Sequence, residues 1–341
     1  MKPRDARSFI HRIETSLSAA MQVAALPAEP RLIVAVSGGA DSSATLLALA
    51  DRADHNWSVN AVHVDHRIAS PATRAGFRAA AEAVASRAGA PFQIVEVDAP
   101  ASADEQGTSL ETAARDARYG SLARAAVELE ANAIVTGHTA DDQAETVLLH
   151  LIRGSGLDGL TAMAPAARLP LPNPPAVALL RPLLDVQRRE TRAFCAFHQL
   201  DYVDDPANAD ATHLRNRVRG DVLPGLVAIN PKIVEALGRL ARDLRVDRDF
   251  LEAQTGSALA ELAQLQREGG YTFSRSRLGA LPAAIQRRVL RDCVQRLDTQ
   301  PPTHERLEAL QRLLLRGGHR VECGAGVVAE ARGDELRLWR A

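Results

Sequence analysis

Four short apolar runs punctuate the first 140 residues, and each leads into a stretch of helical periodicity. Residues 32–36 (LIVAV) are wholly apolar and rich in β-branched side chains, as in a strand buried on both faces. Residues 59–64 (VNAVHV), 92–97 (FQIVEV) and 133–137 (AIVTG) read as three more strands. Between and after them, Ala44, Leu46, Leu47 and Leu49, then residues 72–88, 109–130 and 141–152, read as helices, the last stopping at Gly154. This alternation predicts an α/β fold on a doubly wound, mainly parallel sheet, with ligands at the carboxyl ends of its strands. Ahead of the first strand, Ile10, Ile13, Leu17 and Met21 fall at helical spacing. Prolines 165, 170, 172, 174, 175 and 182 predict an irregular excursion, after which a strand–helix pattern resumes from Leu184 to Phe197. Pro224 and Pro231 punctuate a boundary, which divides the chain into residues 1–225 and 226–341. The second part opens on a helix over 232–252 and reads as mainly helical. It closes on a small β element, in which Val327, Val328 and Leu336, Leu338 flank a hairpin turn at Arg332-Gly333-Asp334.

Composition narrows the class. Hydrophobic residues make up 46% of the 341, enough for a sizeable core, and the aromatic share of 4% leaves Ala, Leu and Val to fill it. No apolar run approaches the roughly 18 residues of a membrane span, and Asp5 and Glu14 interrupt any secretory signal core. Cys195, Cys293 and Cys323 are far apart and never form a C-x-x-C pair. That argues against a disulfide framework or a zinc knuckle, and for a reduced, cytoplasmic setting. The net charge of −1 means that any nucleic-acid contact must use a local patch.

The chemistry concentrates at two strand–helix joins. After the first strand come Ser37, Gly38, Gly39, Ala40, Asp41 and Ser42. Two glycines allow a tight turn and close approach of a ligand, and the following helix start offers N–H groups to a phosphate. Asp41 is the informative residue: a carboxylate beside a polyphosphate calls for Mg²⁺ between them, although an Asp here also suits a helix cap. The loop lacks the Gly-Lys-Ser/Thr ending of a Walker A loop. After the fourth strand comes Gly137-His138-Thr139-Ala140-Asp141-Asp142-Gln143-Ala144-Glu145-Thr146. Asp142 and Glu145 share a helix face and read as a second Mg²⁺ ligand or a general base; first-turn acids also stabilise any helix start. His138 reads as a site residue or as a structural histidine. Arg115 with Arg118, and Arg215 with Arg219, share helix faces and suit phosphate contact or plain solvation, with Arg217 directed elsewhere.

Ser37–Ser42 match the Ser-Gly-Gly-x-Asp-Ser pattern of the N-type ATP pyrophosphatases, a resemblance that implies an adenine-nucleotide α-hydrolase-like, Rossmann-like PP-loop domain gripping the pyrophosphate end of ATP. The run GHTADDQAETVLLHLIRGSGLDGL is similar to a segment of the tRNA(Ile)-lysidine synthetases. Ala114-Arg115 with Arg118-Tyr119, Arg181-Pro182-Leu183-Leu184, Asp204-Asp205-Pro206 through Asn208, and Leu214 to Arg219 with Leu223-Pro224 resemble further family segments, in order across residues 31–225. The family usually has glycine after the second His of His63-Val64-Asp65-His66-Arg67; here Arg67 stands in its place, a departure that bears on the turn. The resemblance implies ligation of free L-lysine to the wobble cytidine of tRNA(Ile) with a CAU anticodon, through an adenylated cytidine, with release of pyrophosphate and AMP. It implies catalytic roles for Asp41, His138, Asp142, Arg115 and Arg215, with Mg²⁺ on Asp41 and Asp142, and a tRNA-binding role for residues 226–341. A homodimer is left open. Two other classes remain: another adenylating enzyme of the superfamily, such as a tRNA thiolase, and a non-catalytic nucleotide- or tRNA-binding module. A thiolase needs sulfur-carrying cysteines, and residues 1–194 contain none.

Overall fold

The computed structural model describes residues 1–50, 56–169, 177–205, 214–265, 269–297, 300–318, 320–324 and 326–341. Prolines 170, 172, 174 and 175, and Pro206 and Asn208 of the sequence analysis, lie outside them. Two compact units emerge, Met1–Arg242 and Asp243–Ala341.

The first unit opens with α1 (Pro3–Val23), which buries Ile10, Ile13 and Leu17 as its spacing requires. Then follow β1 (Arg31–Ala35), α2 (Ala40–Ala50), β2 (Ser58–Asp65), α3 (Pro71–Arg87), β3 (Phe92–Glu96), α4 (Ala99–Gln106), α5 (Leu110–Glu128), β4 (Ala133–Val135), α6 (Ala140–Ile152) and the short α7 (Leu157–Leu160). Next come β5 (Ala166–Arg168), β6 (Ala178–Leu180), α8 (Arg188–Phe197), α9 (Leu214–Arg217), a π-helical turn (Val218–Val222), α10 (Leu223–Ile229) and α11 (Ile233–Leu262), within which the two units divide.

The sheet order is β3-β2-β1-β4-β6-β5, parallel except for β5. Strand alternation assigns its two faces. Leu32, Val34, Val135 and Leu180 enter one core with α1, α2 and α8; Ile33, Val62, Ile134 and Leu179 enter the other with Tyr119 and Leu122 of α5. The order reverses between β1 and β4, so the loops after these two strands flank the crevice where such sheets take ligands. β6 corrects the reading of 165–182 as irregular throughout. The last parallel strand lies inside that stretch, and residues 182–185, where a strand was expected to resume, form a turn.

The second unit continues from α11 into β7 (Gln264–Leu265), β8 (Tyr271–Ser274), α12 (Arg275–Gly279), α13 (Ala283–Leu297), α14 (His304–Arg316), β9 (Arg320–Gly324), β10 (Val327–Arg332) and β11 (Glu335–Arg340). The hairpin expected at Arg332-Gly333-Asp334 joins β10 to β11 in a five-stranded antiparallel sheet, ordered β7-β8-β11-β10-β9. Phe273, Leu336 and Leu338 from that sheet pack with Val289, Leu290 and Cys293 of α13 and Leu310 of α14.

Candidate active site

The loop from β1 to α2 turns at Gly38, whose φ of +86° lies in the left-handed region, and a Cβ there would run into the carbonyl oxygen of Phe77 on α3. Its serines brace it: the Ser42 hydroxyl accepts from the Ser37 amide at 3.1 Å and donates to the Gly39 carbonyl at 3.1 Å. Behind the loop, the buried Cys195 thiol donates to the Ala40 carbonyl at 3.3 Å. Gly137, after β4, makes the second close approach. A Cβ there would stand 3.0 Å from the Asp41 carbonyl carbon and oxygen, so the second motif rests directly on the first.

The second motif starts α6. Thr139 is its N-cap, and Asp142 Oδ2 accepts from the Thr139 amide and hydroxyl, each at 2.9 Å. Asp142 is thus a helix-start residue, and its other oxygen faces the cleft. There Arg188 Nη2 donates to Oδ1 at 2.9 Å, with Arg215 and Arg219 at 3.4 Å. Burial works against charge on Asp142, but Arg188, Arg215 and the Thr139 amide outweigh it and hold the carboxyl below its ordinary range.

Glu145 lies one turn further and is 0% exposed. Arg219 grips it with a fork, Nε to Oε1 at 2.7 Å and Nη2 to Oε2 at 3.0 Å, and Arg215 Nε adds 3.0 Å to Oε2. The π-helical turn follows directly on the helix that carries Arg215, so both guanidinia meet one carboxylate; Arg217 is exposed.

Asp41, in the first turn of α2, takes a hydrogen bond from the Thr191 hydroxyl and lies 3.5 Å from Arg188 Nε. Burial raises its carboxyl to about 6, against the pull of Thr191 and Arg188. The His138 ring shares a hydrogen bond of 2.8 Å with the Thr136 hydroxyl. Burial, with Arg181, Arg118 and Arg215 nearby, pushes it well below the usual histidine range and keeps it neutral. Arg115 and Arg118 each place a guanidinium 5.1 Å from the centre of the Tyr119 ring.

Asp41, His138, Asp142, Arg115, Arg118, Arg188, Arg215 and Arg219 line one cleft of about 980 Å³ together with Ser37, Gly39, Ala40 and Ser42, whereas Glu145 and Thr191 are not part of that lining. The structure therefore brings together Asp41, His138, Asp142, Arg115 and Arg215. It also adds two residues absent from the sequence reading, Arg188 and Thr191, from the first turn of α8. Their three-residue spacing just after Arg181-Pro182-Leu183-Leu184 was the available signal. A second charged group lies near the end of β2, and its Asp65, Arg67 and Arg74 line the cleft. Asp65 accepts Arg74 bidentately at 2.7 and 2.9 Å and Arg78 at 3.3 Å, and Glu96 accepts Arg67 and Arg78 at 2.7 Å each. Hydrogen bonds from Arg74 hold Asp65 at about 2, against its burial. Arg67 adopts a φ of +57°, the conformation that a glycine at this turn would take freely.

Asp41 and Asp142 fit a hard cation: oxygen donors, one beside a phosphate-type loop. Among the described residues no group of three or more His, Cys, Asp or Glu could hold a metal ion, so phosphate and water would complete the coordination of an ion on this pair. The cysteines are buried, and burial pushes each thiol up to about 12, far from a reactive thiolate. Among the described residues no helix is long and apolar enough to cross a membrane.

Residues 10–226 match the PP-loop domain family, and residues 273–334 match the TilS substrate binding domain. Among similar proteins, the tRNA(Ile)-lysidine synthase of Salinispora tropica is 42% identical, over 85% of this chain and 84% of that protein. Its counterpart in Streptomyces coelicolor is 37% identical, over 91% of this chain and 86% of its own length. That of a Synechococcus strain is 34% identical, over 90% and 91%. Among solved structures, the U34-tRNA thiolase NcsA from Methanococcus maripaludis shares the fold at a TM-score of 0.56 and 19% identity, over 70% of this chain and 80% of that one.

Proposed function

The chain belongs to the tRNA(Ile)-lysidine synthase family, and on that premise we propose that it joins free lysine to the wobble cytidine of tRNA(Ile) with a CAU anticodon, using ATP. The observation that carries this reading is the convergence of Asp41 and Asp142, from two helix starts, on one cleft beside a glycine-turned loop. The loop would take the pyrophosphate end of ATP. Mg²⁺ held by Asp41 and Asp142 would offset charge on that pyrophosphate.

The C2 oxygen of cytosine attacks the α-phosphate, pyrophosphate leaves, the lysine ε-amine attacks C2, and AMP departs. The amine must lose a proton. Of the two carboxylates read from sequence for that task, Glu145 is wholly buried under Arg215 and Arg219, whereas Asp142 turns one oxygen to the cleft. We therefore assign Asp142 to the substrate side and Glu145 to positioning Arg215 and Arg219. Neutral His138 serves as a hydrogen-bonding group, and Arg115 and Arg215 as phosphate contacts. Catalysis is assigned to residues 1–225 and tRNA holding to residues 226–341, which include the matched substrate binding domain.

The test combines ATP, labelled lysine and a CAU-anticodon tRNA transcript, each omitted in turn. Lysine should enter the tRNA only with all three and Mg²⁺, with AMP formed. Formation of ADP, or no incorporation, would refute the reading. Binding of tRNA to the full chain should weaken steeply with salt, as phosphate contacts release counterions. A flat salt response by filter binding would remove the phosphate contacts from the account.

A further inference from the structure

Three guanidinia crowd the carboxylates of the cleft, and they are not equivalent. Arg215 and Arg219 are committed to Glu145, at 3.0 Å and at 2.7 and 3.0 Å, and reach Asp142 only at 3.4 Å. Arg188 is the reverse: 2.9 Å from Asp142, 3.4 Å from Glu145, and within 3.5 Å of Asp41. It bridges the two carboxylates that start α2 and α6. Its backbone is fixed, because the Arg188 amide donates to Asp141 Oδ2 at 2.8 Å. Its side chain lines the cleft.

We propose that Arg188 is a resident counter-cation, which holds Asp41 and Asp142 together until a divalent cation takes its place between them. The inference rests on the assignment of Asp41 and Asp142 as the metal carboxylates. Two like carboxylates repel unless a cation lies between them, and a guanidinium and a dication at contact distance repel each other. One cation must therefore yield to the other. Glu145 keeps Arg215 and Arg219 in place, so the exchange falls to Arg188. Once displaced into the cleft, its planar fork suits the phosphate oxygens that arrive with the metal.

Mn²⁺ is the probe, titrated into the full-length, nucleotide-free protein and followed by the electron paramagnetic resonance of the free ion. Arg188→Met should bind Mn²⁺ at least about tenfold more tightly than the parent, because the competitor is gone, while lysine transfer falls at least about tenfold. Arg188→Lys keeps the charge and should stay within about threefold of the parent in Mn²⁺ affinity. A purely structural arginine would give the opposite sign, with weaker metal binding on its removal. Should Arg188→Met not fold, Arg188→Gln carries the same expectation at about threefold. If Asp41→Asn abolishes Mn²⁺ uptake and a folded Arg188→Met or Arg188→Gln fails to tighten it, the counter-cation role is refuted and the metal assignment stands. If Asp41→Asn leaves uptake unchanged, the metal assignment falls and takes the inference with it.

Discussion

Two clusters of the same arithmetic border the cleft, two carboxylates against three guanidinia. Asp142 and Glu145 meet Arg188, Arg215 and Arg219; Asp65 and Glu96 meet Arg67, Arg74 and Arg78. They differ in the burial of their glutamates, though not of their aspartates, and in where the arginines originate. Glu145 and Asp142 have side chains 0% and 12% exposed, and their arginines come from 43 to 77 residues along the chain. In the other cluster Glu96 is 41% exposed, and the arginines lie between residues 67 and 78, beside Asp65. The second cluster pins β2 and β3 to α3, with Asp98 3.9 Å from Arg67 at its edge. The first borders Asp41, a further carboxylate that burial has made hard to ionise, and Arg188 is shared between them. Charge count does not separate the two; the first is set apart because its Arg188 also reaches the carboxylate of the phosphate-type loop.

The largest effects should fall where the first cluster touches substrate. Asp41→Ala and Asp142→Ala are each expected to cut lysine transfer about a hundredfold or more. Their circular dichroism should stay native, since losing the helix-start bond of Asp142 or the hydrogen bond of Asp41 to Thr191 costs about 1 kcal/mol. Near-normal turnover in either would make the two clusters functionally alike.

Glu145→Gln should destabilise the fold by about 3 kcal/mol in urea, because two guanidinia lose a buried partner. Glu96→Gln, at an exposed pair, should shift the midpoint much less. Equal shifts would erase the distinction drawn from burial.

The second cluster has its own signature in pH. Asp65 sits at about 2 when folded, below its ordinary value near 3.9, so its contribution is present above about pH 4 and lost as pH falls through about 2. Asp65→Asn should therefore be less stable than the parent by about 2 kcal/mol near neutrality, and the gap should close between pH 4 and 2. A gap independent of pH would mean that packing, not charge, is what Asp65 supplies.

The smallest effect concerns Arg67. Because its φ is positive, Arg67→Gly should be more stable than Arg67→Ala by about 1 kcal/mol in denaturant melts, the reverse of the usual order. Alanine equal to or better than glycine would show that the turn relaxes.

Much of this was legible from residue order. The two joins after β1 and β4 could be read because a strand, small residues and first-turn acids occur within a few positions. The departure at Arg67 pointed to the residue that now shows a left-handed backbone. β6 escaped because three residues, Ala178–Leu180, are too few to show a period amid prolines. The five-stranded sheet of the second unit was visible only at its hairpin, since β7 and β8 are short and β8 pairs with β11, more than sixty residues later. Arg188 and Thr191 escaped for another reason: on a helix, such residues look like ordinary polar surface. Their meaning comes from tertiary contact with Asp41 and Asp142, which no local pattern encodes.

The contact at Gly137 acts as a gauge. The main chains of the two motifs touch with no side chain between them, so the spacing of Asp41 and α6 is set by two rigid peptide planes rather than by a rotamer that can hop. Side-chain motion does not enter it, and a methyl group at Gly137 would stand 3.0 Å from the Asp41 carbonyl and the Ser42 amide, so that backbone would have to give by a few tenths of an ångström. Precision in this cleft is thus stored in the absence of an atom, and it is available before any ligand arrives to induce it.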